Sequence, residues 1–230
     1  MTFTARVSNF NHKPNDSMND KEKSRTMQAF NRYRTRLSWA SDRPEVWEAG
    51  QEWYPKAGDR LREATKGTTV SLHRAAGVAA LLSPLTPWSR NLRGTEQLLR
   101  WYGDNAPHEI LYEVASRSTV YNSNAGRAVK YLTGNDLLYP SGAKTAPFHA
   151  NLSGDLYPVT IDSWMWRIVD GFGLKSKTPT GNAQRAIERA VRMCATLCDI
   201  HPAQAQAIIW IVERDYWNGD GATRTHAFDT

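Results

Sequence analysis

Apolar residues recur every three or four positions along most of this chain, the spacing of one face of a helix. Asp42-Arg43-Pro44 reads as a helix start, an N-cap followed by proline in the first turn, ahead of Val46, Trp47, Gly50, Trp53 and Tyr54. Thr69 or Ser71 caps the next helix, whose apolar residues Leu72, Ala75, Ala76, Val78, Ala79, Leu81 and Leu82 wrap almost all round, so it must be buried. In Ser83-Pro84-Leu85-Thr86-Pro87 the two prolines bar continuation, and Thr86 can cap a new helix reaching about Tyr102. Helical spacing returns at 107–115, 124–132, 144–152, 161–169, 182–197 and 202–217. Apart from a short extended piece at 157–160, no stretch alternates long enough for a strand, and Gly171-Phe172-Gly173-Leu174-Lys175-Ser176 reads as a helix end and loop. Seven or more helices joined by short turns predict an all-α fold over residues 26–230.

Residues 1–25 break the pattern. They are rich in Asn, Asp, Ser and Lys with little to bury, and predict a flexible N-terminal arm. Arg6, Lys13, Lys21, Lys23 and Arg25 could bring that arm to phosphate; a plain disordered terminus is the alternative.

Composition narrows the class. With 230 residues, 40% hydrophobic and 23% charged, the chain has enough core to fold without metals or disulfides. Its first thirty residues hold no apolar leader segment and no long apolar run follows, so no membrane contact is expected, and a cytoplasmic monomer is. A net charge of +6, carried mainly by arginine, favours DNA as partner, the alternative being a solvated basic surface. Cys194 and Cys198 lie four apart with His201 nearby, but without the looped spacing a metal site uses; they read as small buried residues of an intracellular protein. No metal is expected.

The candidate chemistry lies in the middle of the chain. Gly142-Ala143-Lys144-Thr145-Ala146 ends a tight turn on a lysine, and Asp162 follows eighteen residues later within Val159-Thr160-Ile161-Asp162-Ser163-Trp164-Met165-Trp166-Arg167. One helix and one loop between them would put an amine and a carboxylate across one cleft. A desolvated lysine attacks a carbonyl-like carbon and forms a Schiff base. A neighbouring carboxylate takes up its proton or stabilises positive charge on a sugar as a base departs. The two together suit cleavage of an N-glycosidic bond. In the plainer alternative, Lys144 opens a helix and Asp162 caps the next, and capping is compatible with chemistry.

These segments resemble the helix-hairpin-helix DNA glycosylase superfamily, with its endonuclease III branch as the nearest pattern. Leu138-Tyr139-Pro140-Ser141-Gly142-Ala143-Lys144-Thr145-Ala146 is similar to that family's L-P-G-V-G-x-K-T-A hairpin, with Lys144 at the catalytic lysine. Ile161-Asp162-Ser163-Trp164-Met165-Trp166-Arg167 looks like V-D-T-H-V-x-R, with Asp162 at the catalytic aspartate. Ala80-Leu81-Leu82-Ser83-Pro84-Leu85-Thr86, leading to Asn91, resembles the A-x-L-L-S-x-Q-T helix end that faces DNA, and Gln206-Ala207-Ile208-Ile209-Trp210 is similar to segments of phage-encoded members. The chain departs from the family at three positions: Pro140 replaces the first hairpin glycine, Trp164 a histidine and Leu85 a base-wedging glutamine. It lacks the four-cysteine iron–sulfur loop, so no cofactor is expected.

The resemblance implies a two-lobed fold with a central cleft, in an enzyme that bends DNA, flips a damaged or modified base and excises it. Lys144 would attack C1′ with Asp162 assisting, and strand nicking by β-elimination would follow; without a Schiff base, Asp162 would activate water and leave an abasic site. For the base pocket or wedge the candidates are Leu85, Trp88 and Trp164, and for DNA contact Arg90, Asn91, Arg93, Arg127, Lys130 and Gly142. Trp47, Trp53, Trp101 and Trp210 read as core, and Trp166 as the inward partner of Trp164. Two other readings stay open: a phage enzyme on the same fold that adds an amine or amino acid to a modified thymine, and a non-catalytic DNA-binding module.

Overall fold

Asn19 opens the first helix of the computed structural model, which describes residues 18–170 and 181–217. Its side chain accepts a hydrogen bond from the Glu22 N–H at 2.9 Å, satisfying one of the donors that a helix start leaves open. From there α1 runs over Asp20–Ser41, so the helix begins inside the stretch expected to be a free arm. Glu22 and Thr26 are buried, and Glu22 pairs with Arg189 and Arg185 of α9 (Gly181–Cys198), which ties residues 20–25 to the body of the protein. Residues 1–17 of the arm expected over 1–25, and the loop expected at 171–176, lie outside the described residues.

The described residues form ten α-helices and no strand, an all-α fold, and the piece at 157–160 pairs with no neighbouring strand. Arg43, not Asp42, occupies the N-cap of α2 (Pro44–Ala64), with Pro44 at its first position. Ser71 caps α3 (Leu72–Leu82) by accepting from the Arg74 N–H at 3.2 Å. After the double-proline turn come α4 (Trp88–Gly103), α5 (His108–Ser118) and α6 (Asn122–Leu132), then α7 (Thr145–Leu152), α8 (Ser163–Asp170) and α10 (Pro202–Trp217).

The apolar wrap of α3 has a structural reason. Every residue from Ala75 to Leu82 is buried because α3 stands between two clusters of apolar side chains. Ala76, Ala79 and Ala80 face a cluster built from α1, α2 and α7 to α10, with Trp88 and Leu92 of α4. Ala75, Val78, Leu81 and Leu82 face a second cluster from α4, α5 and α6. The alanines on the first face let α3 lie close to its neighbours.

In the first cluster α2 and α10 meet at a glycine. A Cβ on Gly50 would lie 2.3 Å from Ile208 Cγ1 and 2.6 Å from its Cα, so no side-chain movement can make room. Gly50→Ala is expected to cost about 3 kcal/mol, read as a lowered midpoint in denaturant melts with an unchanged slope. A loss below about 0.5 kcal/mol would mean that the two helices can separate at little expense.

Candidate active site

A hairpin carries Lys144 to the start of α7. After α6 the chain makes a short 3-10 turn (Asp136–Leu138) and then bends at Gly142, whose φ of +99° is reached without strain only by glycine. The Ala146 N–H donates to the Gly142 carbonyl at 3.2 Å, and the Thr145 hydroxyl donates to the Ser141 carbonyl, closing the turn. Lys144 sits at the N-cap of α7 and is half-buried. The hairpin is held from behind by His149 of α7. That histidine is fully buried, hydrogen-bonded through Nε2 to the His73 carbonyl at 2.9 Å, and its ring lies 4.3 Å from His73 and 4.9 Å from Tyr139. Burial pushes its pKa down, favouring the neutral imidazole that such a packed site needs.

Asp162 caps α8. Its Oδ1 accepts from the N–H groups of Trp164 at 3.0 Å and Met165 at 3.1 Å, and its Oδ2 accepts from the Trp210 indole N–H of α10 at 2.8 Å. Burial pushes its pKa up, opposed in turn by the Lys144 charge, the Met165 N–H, the Trp210 indole and the Trp164 N–H. Burial likewise pushes Lys144 down, opposed by the charge of Asp162. Each of the two therefore acts on the other's charge, as the spacing of the two segments predicts. Among the described residues Lys144 makes no direct ion pair, so its amine is not consumed by the carboxylate. A desolvated lysine shifted toward its neutral form, beside a carboxylate shifted toward holding a proton, is suited to nucleophilic attack with proton transfer.

Aromatic rings link the two groups. Trp210 meets Trp53 at 5.9 Å, Trp53 meets Trp88 at 5.3 Å, and Trp88 meets Phe148 at 6.2 Å, one helical turn after Lys144. Trp88, expected as a pocket wall, is 8% exposed and packs into the first cluster; its indole N–H has no hydrogen-bond partner among the described residues. Trp164 and Trp166 divide as expected. Trp166 packs against the first cluster, whereas Trp164 remains outside it with the Arg167 guanidinium 4.6 Å over its ring.

Other expected positions are placed differently. Asn91 is fully buried, donating through Nδ2 to the Ala79 carbonyl at 2.9 Å and accepting from the Thr95 hydroxyl, so it joins α4 to α3 and cannot touch DNA. Arg90 is exposed but uses its guanidinium on the Arg117 and Thr119 carbonyls at the end of α5. Arg93 and Lys130 are exposed, Arg127 is half-buried, and among the described residues none of the three pairs with a carboxylate. Trp101 is 46% exposed rather than core. Trp210 packs against the first cluster as expected and, in addition, bonds the candidate carboxylate through its indole N–H. The available signal was Gln206 one turn earlier, an amide on an apolar helix that accepts from Tyr54 at 2.7 Å and marks the same polar stripe.

Leu85 combines exposure with strain. The Thr86 N–H donates to the Ser83 carbonyl at 3.1 Å, closing a turn with Pro84 second and Leu85 third. Leu85 takes the left-handed backbone that one class of such turns places at its third position, with φ +55°, and is 64% exposed. A leucine there costs about 1 kcal/mol relative to a residue that tolerates this conformation. Leu85→Asn is expected to raise stability by about 1 kcal/mol, since little burial is lost, and a denaturant melt showing destabilisation would contradict this.

The other groups that could carry chemistry lie apart from the pair. A pocket of about 430 Å³ lined by Gly67, Thr68, Tyr102, Asn105, His108 and Thr133 includes neither Lys144 nor Asp162. Burial pushes the Cys194 thiol up to about 12, an inert group. Among the described residues no three His, Cys, Asp or Glu side chains are grouped to hold a metal, and no helix is long and apolar enough to cross a membrane.

A family model described as a family of unknown function, DUF7178, matches residues 16–217 of the chain. No curated protein and no solved structure matches it.

Proposed function

We propose that this chain, which belongs to the family of unknown function DUF7178, is a DNA N-glycosylase-like enzyme on a two-lobed helix-hairpin-helix fold. One observation carries the reading: Lys144 and Asp162, on different helices, are desolvated together and each acts on the other's charge. The Gly142 turn and the cap of α8 supply the local geometry that the resemblance requires of these two residues. Lys144 attacks C1′ of an extruded nucleotide as the base leaves, and Asp162 stabilises the developing sugar cation and takes up the amine proton. The two apolar clusters on either side of α3 are the candidate lobes, and Arg93, Arg127 and Lys130 are the cations left for phosphate. Leu85, exposed on a strained turn, is the candidate wedge.

The test is incubation with duplexes carrying uracil, oxidised, alkylated and phage-type modified bases, followed for base release, strand breaks and borohydride-trapped adducts. Base release from one member of the panel is expected. Tight DNA binding without base release or adduct would overturn the proposal in favour of a binding module. A mass gain on a base that stays attached would redirect it to base modification.

A further inference from the structure

We propose that Trp210, on the last described helix, is a positioning residue of the Lys144–Asp162 pair, its indole N–H holding Asp162 Oδ2 at 2.8 Å and making α10 part of the reacting centre. The inference rests on the reading of that pair as the reacting groups.

The two oxygens of Asp162 are treated differently. Oδ1 is taken by two N–H groups in the first turn of α8, a capping arrangement that any aspartate at this place would make. Oδ2 is the oxygen left for chemistry, and in a buried setting a carboxylate oxygen without a donor is costly. The charge of Asp162 is felt by Tyr33 of α1 and Tyr54 of α2, and Lys144 of α7 acts on Asp162 in turn. Both tyrosines spend their hydroxyls elsewhere, Tyr33 on the Met165 carbonyl at 2.9 Å and Tyr54 on Gln206 at 2.7 Å. Among the described residues Trp210 is thus the side chain that donates to Asp162.

Trp210 is itself fixed in place. Its ring meets Trp53 edge-on at 5.9 Å, and the Arg214 guanidinium lies over the ring, 4.6 Å from its centroid. A cation over an indole draws electron density from the ring and strengthens its N–H as a donor. Arg214 is also bonded to Asp215 at 3.1 Å, which moderates its charge but holds it where it is. The chain Arg214, Trp210, Asp162, Lys144 therefore connects α10 to α7 through α8. The indole favours the ionised carboxylate, and the carboxylate in turn supports the charge of the lysine.

Trp210→Phe keeps the ring and removes the N–H, and Trp210→His restores a ring donor. With aspartate carboxyl carbons labelled, the Asp162 resonance of the DNA-free Phe variant is expected to titrate at higher pH than wild type, and the His variant to move part of the way back. On a substrate duplex the Phe variant is expected to react about tenfold more slowly while its DNA affinity stays within about twofold. A folded Phe variant with an unchanged Asp162 titration overturns the proposal. Should that variant fail to fold, wild type decides: the Trp210 indole N–H resonance must follow the titration of Asp162 and lose that dependence in Asp162→Asn, and an indifferent resonance overturns it. Wild type that shows this coupling yet releases no base from the panel sinks the glycosylase reading and leaves the role of Trp210 standing.

Discussion

Lys144→Gln is expected to abolish the borohydride-trapped adduct with substrate DNA, a loss of at least about 10³-fold, without lowering the melting temperature. Glutamine has no amine to form the C–N bond, so the covalent step is removed rather than slowed. The stability half of the expectation follows from the direction of the lysine's shift. Burial holds its folded pKa below 10.5 despite the attraction of Asp162, so the unfolded chain binds the proton more tightly. Stability from this group therefore rises as pH climbs from the lowered value toward 10.5, and at neutral pH the buried ammonium is a net cost. Removing that charge leaves stability equal or higher, the opposite of what a lysine kept for folding would give. The same shift predicts that trapping by wild type levels off at lower pH than an ordinary lysine would require. An adduct that persists in Lys144→Gln would assign the Schiff base to another amine and end the lyase part of the proposal.

Such a pairing was readable in the sequence because its determinants are local. A glycine two residues before Lys144 and an aspartate opening a helix announce a turn and a cap without knowledge of what packs around them. The burial of α3 was readable for the same reason, since its own residues are apolar on every side. By contrast, α1 hides its inward stripe. Thr26, Ala29, Tyr33, Leu37 and Ala40 keep helical spacing, but they are small or mixed residues set among charges, and the burial of Glu22 depends on arginines of α9. The buried role of Asn91 and the second role of Trp210, beside its packing against the core, were hidden because an indole and an amide look alike whether they fill a core or complete a site. Only the carboxylate of Asp162, 48 residues away, and the Ala79 carbonyl of α3 decide their roles. The strain at Leu85 was hidden because leucine gives no sign of a left-handed backbone, and the proline before it favours turns both with and without one.

Asp162→Asn is expected to lower base release about 10²- to 10³-fold while leaving DNA binding intact, and to act on Lys144 in a way that separates two mechanisms. Asparagine caps a helix as well as aspartate does, so Oδ1 can go on accepting from the Trp164 and Met165 N–H groups and α8 should stay formed. The other oxygen becomes an amide that faces the Trp210 N–H donor to donor, and that bond is lost. The charge that supports the ammonium of Lys144 disappears with it, so the lysine pKa falls further and the rise of trapping with pH moves to lower pH. In wild type the folded state holds the Asp162 proton more tightly than the unfolded chain, because burial raises its pKa above 3.8. Wild type therefore loses stability as pH rises through that window, and the variant, with nothing to titrate there, does not. If the lysine is the nucleophile, Lys144→Gln and Asp162→Asn both lose base release, and a preformed abasic site should still be trapped by Asp162→Asn at its lowered pH. If water is the nucleophile, Lys144→Gln keeps most of its base release and Asp162→Asn loses it. Equal base release by wild type and Asp162→Asn would remove the carboxylate from the chemistry and leave it as a helix cap.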